Sequence, residues 1–147
     1  KRWRMAATRF VGADSADARP PAALLATLDQ SLWAVCRAIS EECVAAGLRY
    51  GLSLDTMAVV LGRASGWSAA LQGLTAAMQG RSPRSTTALG TVAASLQQIS
   101  EHGIQCHAPL LIANLAGSQF HRAVHEHGAD ASVDAGINPA AMPCAVP

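Results

Sequence analysis

The chain has 147 residues, half of them apolar but only 4% aromatic, and a formal net charge of +1. That is enough for one domain with a core of Ala, Leu and Val, a composition that favours closely packed helices. It argues against a nucleic-acid interface, because Arg2, Arg4 and Arg9 form the only basic cluster and no aromatic–basic stripe follows it. No apolar run reaches membrane-spanning length, and the N-terminus lacks a signal-peptide pattern. The four cysteines, Cys36, Cys43, Cys106 and Cys144, show neither CxxC spacing nor the density of a disulfide scaffold. A reducing, cytoplasmic setting without nucleic acid or membrane as partner is therefore expected.

The chain opens at Lys1 without an initiator Met, which suggests a fragment or a processed product. Residues 1–19 read as an extended lead-in from a preceding domain, with Met5–Val11 strand-like and Gly12–Arg19 a polar loop. Pro20 and Pro21 then open a helix, since proline is tolerated in a first helical turn. Leu25, Leu28, Leu32, Val35, Ile39, Glu42 and Ala46 recur with alternating spacings of three and four, a continuous stripe on one face of a helix over about Ala22–Tyr50. Such a helix would be about 43 Å long. A helix of that length normally spans the middle of a bundle or packs against a second subunit, and the second case would make the chain a homodimer. Gly51 is a sensible stop.

Shorter helices follow. Ser53 can cap one whose Leu54, Met57, Ala58 and Leu61 face inward, and Gly62–Trp67 is a turn. Leu71, Leu74 and Met78 mark a third helix ended by Gly80, and Arg81–Ser85 is a loop. Leu89, Val92, Ala93, Leu96 and Ile99 mark a fourth, closed by Gly103. Pro109 opens a fifth, with Leu111, Leu115 and Val124 inward and Gly128 after its end. The tail from residue 135 to residue 147 carries three prolines and no period, so loose order is expected. The whole reads as an all-α helical bundle around one long central helix, with residues 20–134 as its domain.

Few residues stand out chemically. Glu42 occupies an apolar stripe position, where an ionised carboxylate needs a partner. It is a candidate acid/base or substrate ligand, although a structural carboxylate bonded to a neighbouring helix is the commoner case. Asp29 and Gln30 share a helix face with Trp33 and are candidate substrate-binding residues; a solvated edge would look the same. His121 and His125 have metal-compatible spacing on a helix, next to Glu126 and His127, but no third ligand stands at a defined spacing. A cation-bearing helix C-terminus explains them more simply, so no metal centre is expected. Cys106 and His107 are adjacent and point apart too readily to form a nucleophile–base pair. No GxGxxG or GxxxxGK[ST] occurs, nor any βαβ alternation, so the chain cannot hold a dinucleotide alone by the usual means.

Taken in order, Ala26-Thr27-Leu28-Asp29-Gln30, Glu42, Gly51-Leu52-Ser53, Ala64-Ser65-Gly66-Trp67-Ser68, Pro83, Phe120 and the closing Gly128–Asp134 segment resemble the C-terminal half of the β-hydroxyacid dehydrogenase family. That family includes the 3-hydroxyisobutyrate and tartronate-semialdehyde dehydrogenases. The resemblance implies a 6-phosphogluconate dehydrogenase C-terminal domain-like fold, with the long helix packed against its partner's. It also implies a small hydroxy acid as substrate, and NAD or NADP bound only with a separate Rossmann domain.

The departures bear on activity. The family's Lys-x-x-Asn motif supplies a lysine acid/base and a substrate-binding Asn; here Ala26 and Asp29 stand in those places. The family's Lys-Asp-Leu should fall between Gly90 and Leu96, where the chain reads Gly-Thr-Val-Ala-Ala-Ser-Leu, and its only lysine is Lys1. A methyl group cannot transfer a proton as a tuned lysine can. The chain alone is therefore expected to be inactive, either as a non-catalytic interaction module or, as in the related imine reductases, with another acid such as Asp29 in the lysine's place.

Overall fold

A computed structural model describes residues 21–137. The lead-in of residues 1–19 and the tail from residue 138 onward lie outside the described residues. Among the described residues 69% are helical, in five helices, and there is no sheet. These are α1 (Pro21–Arg49), α2 (Leu54–Leu61), α3 (Ala69–Met78), α4 (Leu89–Gln105) and α5 (Leu111–His127). The all-α bundle around one long helix is thus the observed fold, with α1 touching each of the other four. No helix among the described residues is long and apolar enough to cross a membrane.

Local chemistry accounts for the breaks. Ser53 accepts the Thr56 N–H at 3.1 Å and Ser68 accepts that of Leu71 at 3.1 Å, so α2 and α3 both start on side-chain caps. Gly51 follows α1 at φ +83° and Gly80 follows α3 at φ +66°, left-handed turns that glycine enters without a Cβ clash. The fourth helix departs from the reading at its end. It runs past Gly103, which is buried, because the returning chain crosses it there: a Cβ on Gly103 would lie 2.7 Å from the Ala108 carbonyl oxygen. The left-handed residue after α4 is instead His107, at φ 55°.

Two apolar clusters meet along α1. One joins Ala34 and Ala38 to Leu89, Val92 and Leu96 of α4 and to Ala116 and Phe120 of α5. The other joins Val44 to Met57, Leu71 and Leu74 of α2 and α3. The inward face of α1 is small and partly polar: Ser31, Ala34, Ala38 and Ser40 are buried, and both serine hydroxyls donate to the carbonyl one turn back. Small residues let α4 and α5 approach closely.

The stripe of α1 that begins at Leu25 faces outward, except for Val35, which packs against the first cluster. Leu25, Leu28, Leu32 and Ile39 are between 44% and 66% exposed, and Glu42 and Ala46 are exposed as well. Spacing shows that these residues share a face but not which side that face takes, and the Ala/Ser side wins the interior because it packs more tightly. The same correction applies to α5, where Leu111 and Leu115 are exposed while Ala116, Gly117 and Phe120 are buried.

Candidate functional site

The segment before α4 is tied to the segment after α5, and this tie shapes one side of a groove. Leu89 donates its N–H to the Ala131 carbonyl at 2.8 Å, and Val133 donates to Thr87 at 3.0 Å, around a single antiparallel bridge between Ala88 and Ser132. The Ser132 hydroxyl donates to the Ser85 carbonyl at 2.7 Å. The Ser85 N–H in turn donates to Asp134 Oδ2 at 2.7 Å. Asp134 is buried and is held by Arg37 of α1, whose Nη2 donates to Oδ1 at 2.9 Å. Arg37, only 2% exposed, also donates through Nε to Glu41 at 2.7 Å. A buried guanidinium with two carboxylate partners needs no further counter-charge.

Beside this tie lies a groove of about 580 Å³, open to solvent. Its floor is one stretch of α1 carrying Asp29, Gln30, Trp33 and Cys36; the start of α3 at Ser68 and the Ser85–Thr87 loop close its sides. Asp29 is exposed, while Gln30 and Trp33 are half-buried. The three residues proposed from the sequence as substrate ligands thus line one cleft. Ala26 is exposed one turn earlier and is not part of the lining. The Gly90–Leu96 segment, where a second lysine motif was expected, spans both faces of α4: Val92, Ala93 and Leu96 are buried, while Thr91 and Ala94 are exposed.

Glu42 does not join this site. It stands thirteen residues beyond Asp29 on the same helix, about 20 Å along the axis. It is exposed and accepts a hydrogen bond from Gln119 Nε2 of α5. The expectation of a carboxylate set into the packing face is corrected by the outward turn of the stripe, and the bond to a neighbouring helix matches the structural reading. Glu42 lines a separate cavity of about 340 Å³ between the two apolar clusters, with Glu41, Phe120 and Arg122.

The histidines also lie apart from the groove. His121, His125 and His127 are exposed on α5, and no group of three or more His, Cys, Asp or Glu side chains suited to a metal occurs among the described residues. Cys106 and His107 are exposed at the end of α4, where they form its cap.

Sequence reasoning passed over Arg37 and Ser85, and met Asp134 only as the end of the closing Gly128–Asp134 segment. An arginine within the run Ala34-Val35-Cys36-Arg37-Ala38-Ile39, four residues before Glu41, was the available signal. Its other partner, 97 residues away, could not be read from spacing.

These features define an all-α domain built on one long helix, with a groove of mixed polar and apolar lining along that helix. The family model described as NAD-binding of NADP-dependent 3-hydroxyisobutyrate dehydrogenase matches residues 25–140, and the chain belongs to that family. The match takes in the groove and the Arg37–Asp134 tie. No curated protein and no solved structure matches the chain.

Proposed function

We propose that this chain is the substrate-side and dimerisation domain of an NAD(P)-dependent, β-hydroxyacid-dehydrogenase-like oxidoreductase that works without the family's lysine. The observation that carries this reading is the groove on α1: within a domain of this family, Asp29, Gln30 and Trp33 line one cleft, and among the described residues no lysine or arginine lines it. The outward leucine stripe of α1 supports the dimerisation half, since exposed apolar rows of this kind mark contact surfaces.

The described residues do not suit a whole dinucleotide. They contain no sheet and no glycine-rich phosphate loop, and the groove offers a carboxylate where a pyrophosphate would need cations. In this reading the cofactor is held by a separate dinucleotide-binding domain, and α1 presents the substrate to it. One observation favours a second reading, in which Asp29 takes the proton-transferring role: it lines the groove and Ala26 does not.

The test is to mix the chain with NADH or NADPH and small aldehyde acids, following nicotinamide fluorescence and absorbance. The expected result is neither binding nor oxidation by the chain alone. Measurable turnover would overturn the reading, because it would place both the cofactor and a proton donor within this domain.

A further inference from the structure

The charge of the groove narrows what it can hold. Among the described residues, Asp29 is the one carboxylate in its lining, and no arginine, lysine or histidine stands with it. Arg37, one residue beyond Cys36 of the lining, is buried against Glu41 and Asp134, and Arg84, next to Ser85 in sequence, is exposed outside the lining. Backbone donors are largely spent as well. The Ser85 N–H goes to Asp134 and the Thr87 N–H to the Ser85 hydroxyl at 3.1 Å, while Ser68 takes the N–H of Leu71. What remains for an anion is the start of α3, at most about half a unit of positive charge, set against the full negative charge of Asp29.

Trp33 points the same way. Its half-buried indole lies one turn along α1 from Asp29, so both line the same floor. A cation beside a carboxylate and over an aromatic face gains from both, and an anion gains from neither. Gln30, Ser68 and Thr87 add neutral polar partners around that pair.

We infer that the groove binds a small organic cation, a protonated amine on a compact apolar body, in preference to a carboxylate. This rests on the groove being the ligand site of the domain, as proposed above, and it assigns the ligand a charge opposite to that of a hydroxy acid.

The test uses the full chain and two probes of matched size and opposite charge, benzylammonium and phenylacetate. Binding is read from the indole N–H resonance of Trp33, assigned by its loss in Trp33→Phe. Benzylammonium should shift that resonance in a saturable way, and the affinity should fall as salt is raised. Asp29→Asn should weaken it about fivefold, the effect of losing one exposed charge pair. Asp29→Glu should retain it. Asp29 is exposed, so neither variant should alter the helical circular dichroism. If phenylacetate shifts Trp33 as strongly as benzylammonium, or if Asp29→Asn leaves amine affinity unchanged, the charge assignment is overturned while the groove stands as a binding site. If neither probe moves Trp33, the groove itself is not a ligand site and both readings fall.

Discussion

Arg37 and Asp134 lie 97 residues apart in sequence and meet at 2.9 Å inside the protein, both side chains shielded from solvent. The pair joins the middle of α1 to the segment after α5. Through Asp134 Oδ2 it also holds the Ser85 amide, so one buried carboxylate links the packing of the bundle to the wall of the groove.

Breaking that pair should be costly. Asp134→Ala leaves the buried Arg37 with only Glu41 as a charged partner, beside the Val133 carbonyl, and orphans the Ser85 N–H, and we expect a loss of about 3–5 kcal/mol. Urea unfolding measures it. The double variant Arg37→Met/Asp134→Leu should recover much of that stability, because it removes the unpaired charge along with the pair. It should not restore order at Ser85, whose amide would exchange faster with solvent than in the unaltered chain.

Leu96 provides the reference for the apolar core. It is 1% exposed at the centre of the α1–α4–α5 cluster. Leu96→Ala should cost about 2–5 kcal/mol in the same unfolding experiment.

His107 offers a gain. At φ 55° it carries a Cβ in the left-handed region after α4, a conformation that costs an L-residue about 1 kcal/mol or more. His107→Gly should therefore stabilise the chain by up to about 1 kcal/mol, less the extra freedom that glycine has when unfolded. An unchanged or lower midpoint would show that the imidazole has a compensating contact.

Restoring a lysine should not restore chemistry. Ala26 stands outside the groove lining. Ala26→Lys in this chain should leave NADPH oxidation with small aldehyde acids undetectable. Turnover in that variant would mean that a one-residue change was all that separated the domain from the family's reaction.

Much of this architecture was legible in the sequence, because helix punctuation is local. Gly51 and Gly80 adopt left-handed turns, and Ser53 caps the helix that it precedes. The Asp29–Gln30–Trp33 cluster was legible for the same reason, since residues one turn apart share a face wherever the helix lies. The direction of α1 was not. Its leucine row and its Ala/Ser row are both continuous, and hydrophobicity favours the former as core, whereas close packing against α4 and α5 requires the latter. Glu42 turns outward with the leucines and bonds to Gln119 of α5. Arg37 was missed because a lone arginine in an apolar run looks like a solvated edge until its distant partner is known.

In the proposed function, the outward row of Leu25, Leu28, Leu32 and Ile39 is the surface on which a second copy of the chain packs. Light scattering coupled to size exclusion tests it most directly. The chain has a mass of 15.2 kDa, and we expect a species of twice that mass. Leu28→Glu/Leu32→Glu should convert it to monomer with its helical circular dichroism intact. A chain that runs as a stable monomer before any substitution, at concentrations well above micromolar, would contradict the claim.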